Sequence, residues 1–149
     1  MHPFFVEFEI GNAERFAALS RVFAALKHDK AAGAFRSVEA WKAFFDAQAL
    51  SHFWWPSPTE LEDWKRRYLA TPYPQRFSEP SLKRPWDFAS LIEAFQNGDY
   101  ELLGLSQIEG GLARLDFAPY GHPFGGTGCM RALIEAFDHR VTVDSETDE

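Results

Sequence analysis

Leu91-Ile92-Glu93-Ala94-Phe95 and Leu133-Ile134-Glu135-Ala136-Phe137 are one pentapeptide written twice in 149 residues. Extended backwards, each copy becomes an apolar helical stripe: Phe88, Leu91, Ile92 and Phe95 in the first, Met130, Leu133, Ile134 and Phe137 in the second. Both follow the i, i+3, i+4, i+7 spacing that gathers side chains on one face of a helix. Each stripe runs into a segment of strand character, so the repeat suggests two related halves. In both copies the Leu, Ile and Phe are expected to face one sheet, with Glu93 and Glu135 outside. A string of good helix formers can also recur by coincidence.

Around the repeat, hydrophobic alternation marks the strands. Phe4, Val6, Phe8 and Ile10 alternate with Phe5, Glu7 and Glu9, the period of two of a half-buried strand. Residues 100–108 and 112–118 read as two strands joined through Glu109-Gly110-Gly111, a hairpin turn. Val141 and Val143 give a short last strand. With the two repeat helices the order is βαββαβ, the ferredoxin-like order. The expectation is therefore an α+β single domain, residues 1–143, with an antiparallel sheet of about four strands and helices on one face. A helix-covered antiparallel sheet in another strand order is the competitor. Residues 144–149 form an acidic tail expected to fray.

The ferredoxin-like order leaves a helical insertion, about residues 12–84, after the first strand. Asn12 can cap a helix with the stripe Phe16, Leu19, Phe23 and Leu26, ending near Lys27-His28-Asp29-Lys30. Ser37 can cap a second helix carrying Val38, Trp41, Phe44 and Phe45. Ser57-Pro58-Thr59-Glu60 is a capping box with proline at the first helical position, and its helix carries Leu61, Trp64, Tyr68 and Leu69. Pro72, Pro74 and Pro80 exclude a regular helix over 71–84. Pro85 opens the first repeat helix, and Asn97-Gly98 stops it.

Composition narrows the function classes. Hydrophobic residues make up 46% and charged residues 25%, as in ordinary globular proteins, and the 16% aromatic share belongs mainly in a core. A single cysteine, Cys129, excludes an intrachain disulfide and a CxxC metal site. No segment has the roughly 20 apolar residues of a membrane span, and Met1-His2-Pro3-Phe4 lacks the pattern of a signal peptide. The expected location is cytoplasmic. The formal net charge of −7 argues against sequence-blind nucleic-acid binding. Yet residues 64–86 carry a local +5 from Lys65, Arg66, Arg67, Arg76, Lys83 and Arg84 against Glu79.

Five groups of residues are candidates for chemistry. The outer sheet face would gather Glu7, Glu9 and Asp116 with Arg114, a set able to bind a basic partner or a hard cation, or to supply acid/base groups. It would equally be a solvated face neutralised by Arg114. The loop Gly121-His122-Pro123-Phe124-Gly125-Gly126-Thr127-Gly128-Cys129 precedes a helix, where Gly125, Gly126, Thr127 and Gly128 could cradle an anion. It lacks the lysine of a Walker loop, and a tight turn explains its glycines as well. Cys129 in the first helical turn could be activated by His122, or could be a small buried hydrophobe. The basic-aromatic stretch 64–86 is a nucleic-acid candidate. It is weakened by the helical pairs Glu62–Arg66 and Asp63–Arg67, and intramolecular docking beside the sheet's carboxylates is preferred. Phe53-Trp54-Trp55-Pro56 is either a stacking platform or core.

His2, His28, His52 and His139 show no metal-ligand spacing, and no cofactor or metal is expected. The leading expectation is a non-enzymatic protein-binding or regulatory protein, of the kind of an immunity-type antagonist of a basic partner, acting through Glu7, Glu9, Arg114 and Asp116. A small ligand-binding protein or enzyme built on the Gly-rich loop, with Cys129 and His122, is the alternative. Nucleic-acid binding through 64–86 ranks third. Oligomeric state is not readable from the sequence.

Overall fold

A computed structural model describes residues 3–82 and 86–146. They form a mixed α+β body of six α-helices and one four-stranded antiparallel sheet. The strands are β1 (Phe5–Glu9), β2 (Tyr100–Gln107), β3 (Leu112–Pro119) and β4 (Arg140–Asp144), ordered β2-β3-β1-β4 across the sheet. The helices are α1 (Ala13–Ala32), α2 (Val38–Phe44), α3 (Ala47–Leu50), α4 (Pro58–Ala70), α5 (Phe88–Asn97) and α6 (Gly128–Ala136). Two 3-10 turns, Tyr73–Phe77 and Pro80–Leu82, replace regular helix in the proline-rich stretch.

The strand alternation sorts side chains as the sequence predicts. Val6, Phe8, Ala113, Leu115 and Phe117 are all fully buried beneath the helices. Phe5, Glu7 and Glu9 lie opposite Asp116, Arg114 and Leu112 on the other face. The strand pairs carry one residue of slippage at Glu7/Phe8 and another at Leu102/Gly104. The first lets both Val141 and Asp144 stand opposite buried partners, Phe8 and Val6. Asp144 is therefore the last residue of β4 and fully buried, not the start of a tail. Thr147, Asp148 and Glu149 of that expected tail lie outside the described residues.

Helix ends follow capping chemistry. Asn12, Ser37, Asp46, Ser57 and Asp87 each accept a backbone N–H in the first turn of the helix they precede. Ser57 and Glu60 complete the predicted capping box. α1 runs past the expected stop to Ala32, where Gly33 takes the left-handed conformation (φ 68°) and closes it. α5 begins at Phe88 behind the Asp87 cap; Pro85, expected to open it, lies outside the described residues. The four-residue α3 has no hydrophobic periodicity and escapes sequence reading.

In both copies of the repeated pentapeptide the Leu, Ile and Phe are buried and the Glu is exposed. Their surroundings differ. α6 lies against β1 and β4, whereas α5 packs chiefly on α1, α2 and α6. The difference arises because α1 follows β1 directly and takes up the sheet surface beside β2. Phe137 sits one residue past α6, as its C-cap. Each such side chain contributes about 1.5–3 kcal/mol on burial, which makes the repeat scaffold. No helix among the described residues is long and apolar enough to cross a membrane.

Candidate functional site

The large hydrophobic side chains left in water point to one region. Five are conspicuous among the described residues, Trp55, Leu69, Tyr73, Trp86 and Tyr120, and four of these fall between 55 and 86. The cause is local. Phe53 turns inward against Phe45 and Phe88, with edge contacts at 6.1 and 5.5 Å. Pro56 then ends the extended stretch, and the Ser57 capping box launches α4 away from the core. None of the 13 residues of α4 is buried. The helix is held through one stripe, with Trp64 donating Nε1–H to the Leu82 carbonyl at 2.9 Å and packing on Trp54 and Tyr68.

At the root of this arm is a groove of about 390 Å³, whose apolar walls come from Trp54, Trp55, Pro56, Leu61 and Phe88. The Trp55 ring is stacked on Phe88 at 5.9 Å, and its Nε1–H donates to the Leu50 carbonyl at 2.8 Å. Those contacts hold it rigid while 48% of its surface stays in solvent. The Lys42 ammonium lies 5.2 Å from the same ring, and Asp87 stands at the lip. A preorganised aromatic groove with few polar groups suits an apolar side chain better than a sugar, which needs hydrogen bonds around its whole ring. The expected alternatives for Phe53-Trp54-Trp55-Pro56 are thus divided: Phe53 is core, and the next three residues line a groove.

The predicted sheet-face group is brought to one side and largely neutralised there. Arg114 reaches Glu7 at 3.6 Å and lies 4.1 Å over the Phe5 ring. Glu9 is paired with Arg140, its register neighbour on β4. Asp116 stands opposite Phe5, with its buried Oδ1 lacking a hydrogen bond. The cations that answer these carboxylates come from adjacent strands, so the basic stretch is not needed there. Its own cations are used locally: Arg66 and Arg67 pair with Asp63, and Arg76 donates to the Thr71 carbonyl and covers Tyr68. This replaces the expected docking of the insertion beside the acidic face. It also occupies three of the cations a nucleic acid would need. Lys83 and Arg84 lie outside the described residues.

The Gly-rich loop is tied to the chain's own carboxylate. Thr127, the N-cap of α6, is buried and donates its hydroxyl to Asp144; Arg131, one turn on, donates to the same oxygen at 3.2 Å. Asp144 also accepts the Glu146 N–H at 3.0 Å. Gly125 and Gly126 have φ of 104° and 79°, which a tight turn requires. A Cβ on Gly128 would stand 3.3 Å from the Trp86 ring. Asp144 thus already takes the Thr127 hydroxyl and the nearby Arg131 cation that an anion at this loop would use.

Cys129 and His122 lead separate lives. Cys129 is buried, with Sγ 3.3 Å from the Tyr100 hydroxyl, and burial pushes its thiol up. Burial also pushes the Tyr100 hydroxyl up. Exposed His122 packs on Phe4 and Phe124 and lies 3.9 Å from Glu146. Lys30 spans this end of the core, donating to the Phe95 and Gly98 carbonyls at 2.8 and 2.7 Å with its ammonium 4.5 Å from the Tyr100 ring.

Sequence reasoning missed a polar cluster that joins three distant segments. Buried Arg15 pairs with Asp46 and with Asp138, and Asp138 also accepts from Gln48 and lies 3.0 Å from His52 Nε2. His139, next in the chain, is buried and accepts the Gly11 N–H at 2.9 Å, and burial pulls its pKa down. Asp138 is the one non-glycine residue with positive φ (65°) among those described. No sequence spacing signals this meeting, because its members come from positions 11–15, 46–52 and 138–139. No set of three or more His, Cys, Asp or Glu among the described residues could hold a metal ion.

Against known proteins, no family model, no curated protein and no solved structure matches this chain.

Proposed function

We propose that this is a non-enzymatic binding protein that takes an apolar side chain of a protein partner into the Trp54–Trp55–Leu61–Phe88 groove. One observation carries the reading: four of the five exposed large hydrophobic side chains among the described residues cluster between 55 and 86. Of these, Trp55 lines the groove itself, and an aromatic ring left half in water at a preformed groove is the kind of anchor on which interface affinity depends. The net charge of −7 favours a basic partner through long-range steering, and an immunity-type antagonist is one protein of this kind. The strand order β2-β3-β1-β4, with α1 following β1 onto the sheet beside β2 and α6 lying on β1 and β4, supports a ferredoxin-like framework carrying α2 to α5 as an insertion.

The test compares two surfaces. Tagged protein is used to capture partners from cells that express it, beside a Trp55→Ala variant and a triple Glu7→Lys, Glu9→Lys, Asp116→Lys variant. The groove reading expects Trp55→Ala to lose the captured partner and the triple variant to keep it. The reverse pattern would transfer the binding site to the sheet face. Capture that neither variant changes removes both surfaces.

A further inference from the structure

The structure carries a second unpartnered surface, the outward face of α4. Glu62, Lys65, Arg66 and Leu69 recur at spacings of three, one and three, which places them on one side of the helix. All four are exposed, Leu69 at 71%. The attached stripe is the other one, Leu61, Trp64 and Tyr68. A 13-residue helix is marginal by itself in water, and this one buries none of its residues in its own chain.

The charges of α4 are also sorted along its axis. Glu60, Glu62 and Asp63 precede Trp64, and Lys65, Arg66 and Arg67 follow it. Within the chain Glu60 is committed to the capping box, and Asp63 to Arg66 and Arg67. Among the described residues Glu62 and Lys65 have no ion partner. Two such helices side by side in parallel would set like charge against like. Antiparallel and centred on Trp64, they set the acidic half of each against the basic half of the other.

We infer that α4 pairs antiparallel with α4 of a second copy of this chain, Glu62 of each meeting Lys65 of the other across a two-fold axis. Such a contact is self-complementary, since each pairing occurs twice. Helices pack 8–10 Å apart, and α4 is about 20 Å long, so the contact is small and the dimer weak. The pairing uses α4 residues other than Leu61, the one that lines the groove, and does not depend on the groove's binding a partner.

Sedimentation equilibrium across a concentration series tests it. The wild-type mass is expected to rise from one chain toward two with concentration. Glu62→Lys alone and Lys65→Glu alone each set like charges opposed and are expected to weaken association at least tenfold. An equimolar mixture of the two variants is expected to restore it, because each then meets its complement. Far-UV circular dichroism on every sample checks that α4 stays folded. A wild-type mass that stays at one chain up to about 1 mM overturns the inference. So do charge variants that self-associate like the wild type, or a mixture that fails to recover.

Discussion

Arg15 donates its Nε–H to Asp138 at 3.1 Å across 123 residues of sequence, and the same guanidinium pairs with Asp46 at the start of α3. This one side chain fastens the inserted helices to the turn between α6 and β4. Its guanidinium carbon also lies 5.0 Å over the ring of Phe137, the last residue of the second repeat copy. The repeat supplies the core surface, and Arg15 holds the insertion against it.

Arg15→Met is expected to destabilise the protein by about 2 kcal/mol, because it removes the one cation shared by two half-exposed carboxylates and keeps only the packing. Arg15→Lys should recover less than half of that loss, since a single ammonium cannot serve two carboxylates in a fixed fork. Urea unfolding midpoints provide the comparison. Equal stability of Met and wild type would show that the tether is dispensable.

Gly11→Ala should cost more than Gly126→Ala, although only Gly126 has positive φ. A Cβ at Gly11 would stand 2.2 Å from the Asp138 carbonyl oxygen, so backbone must move. A Cβ at Gly126 meets nothing within 4 Å, leaving only the cost of its φ of 79°, about 1 kcal/mol. Thermal unfolding of both variants reads the order directly.

Acid should weaken the fold from below about pH 6.5. His139 has its pKa pulled down by burial, so the unfolded chain takes up its proton first as pH falls. Asp29 accepts both Nε–H and Nη2–H of Arg36 at 2.9 Å, which holds its carboxyl far below the usual carboxylate range. Its contribution is complete above the unfolded pKa near 4 and is lost as pH falls further. Asp29→Asn should lower stability by about 2 kcal/mol at neutral pH and flatten the profile below pH 4. A wild-type urea midpoint unchanged from pH 7 to pH 3 would contradict both assignments.

Thr127→Val removes a hydroxyl donated to buried Asp144 and should cost about 2 kcal/mol. Millimolar inorganic phosphate should leave the wild-type melting temperature where it is, since Asp144 already takes the Thr127 hydroxyl and Arg131. A melting temperature that climbs with phosphate would reinstate the loop as an anion site.

Cys129 should react with a thiol reagent such as DTNB only as fast as the protein opens, because it is buried and its thiolate is disfavoured. Rapid labelling under native conditions, at the rate of an exposed cysteine, would restore the nucleophile reading.

Much of the fold was legible because its signals are local. The alternation of Phe4 to Ile10 sets which side of β1 is buried, and the Ser57-Pro58-Thr59-Glu60 box sets where α4 begins. Leu91-Ile92-Glu93-Ala94-Phe95 and its copy set two buried helical faces. These follow from backbone periodicity and capping, which need no knowledge of distant segments. Sequence places Asp144 in the tail because a lone carboxylate after Val143 looks solvated, whereas Thr127 and Arg131 face it in the fold. The Trp54–Trp55 groove was half legible: aromatic content was plain, but inside and outside differ by one residue of chain direction.

The sequence by itself therefore determined the α+β class, the strand faces, most helix starts, and the burial of the repeated Leu, Ile and Phe. Only the tertiary structure decided which charges are spent. Glu7 and Glu9 are answered by Arg114 and Arg140 through strand register, Asp144 fills its own loop, and Arg15 gathers carboxylates from two remote turns. Periodicity is a property of neighbours in the chain, whereas an ion pair depends on neighbours in space. The latter exist only once the strands have chosen their partners.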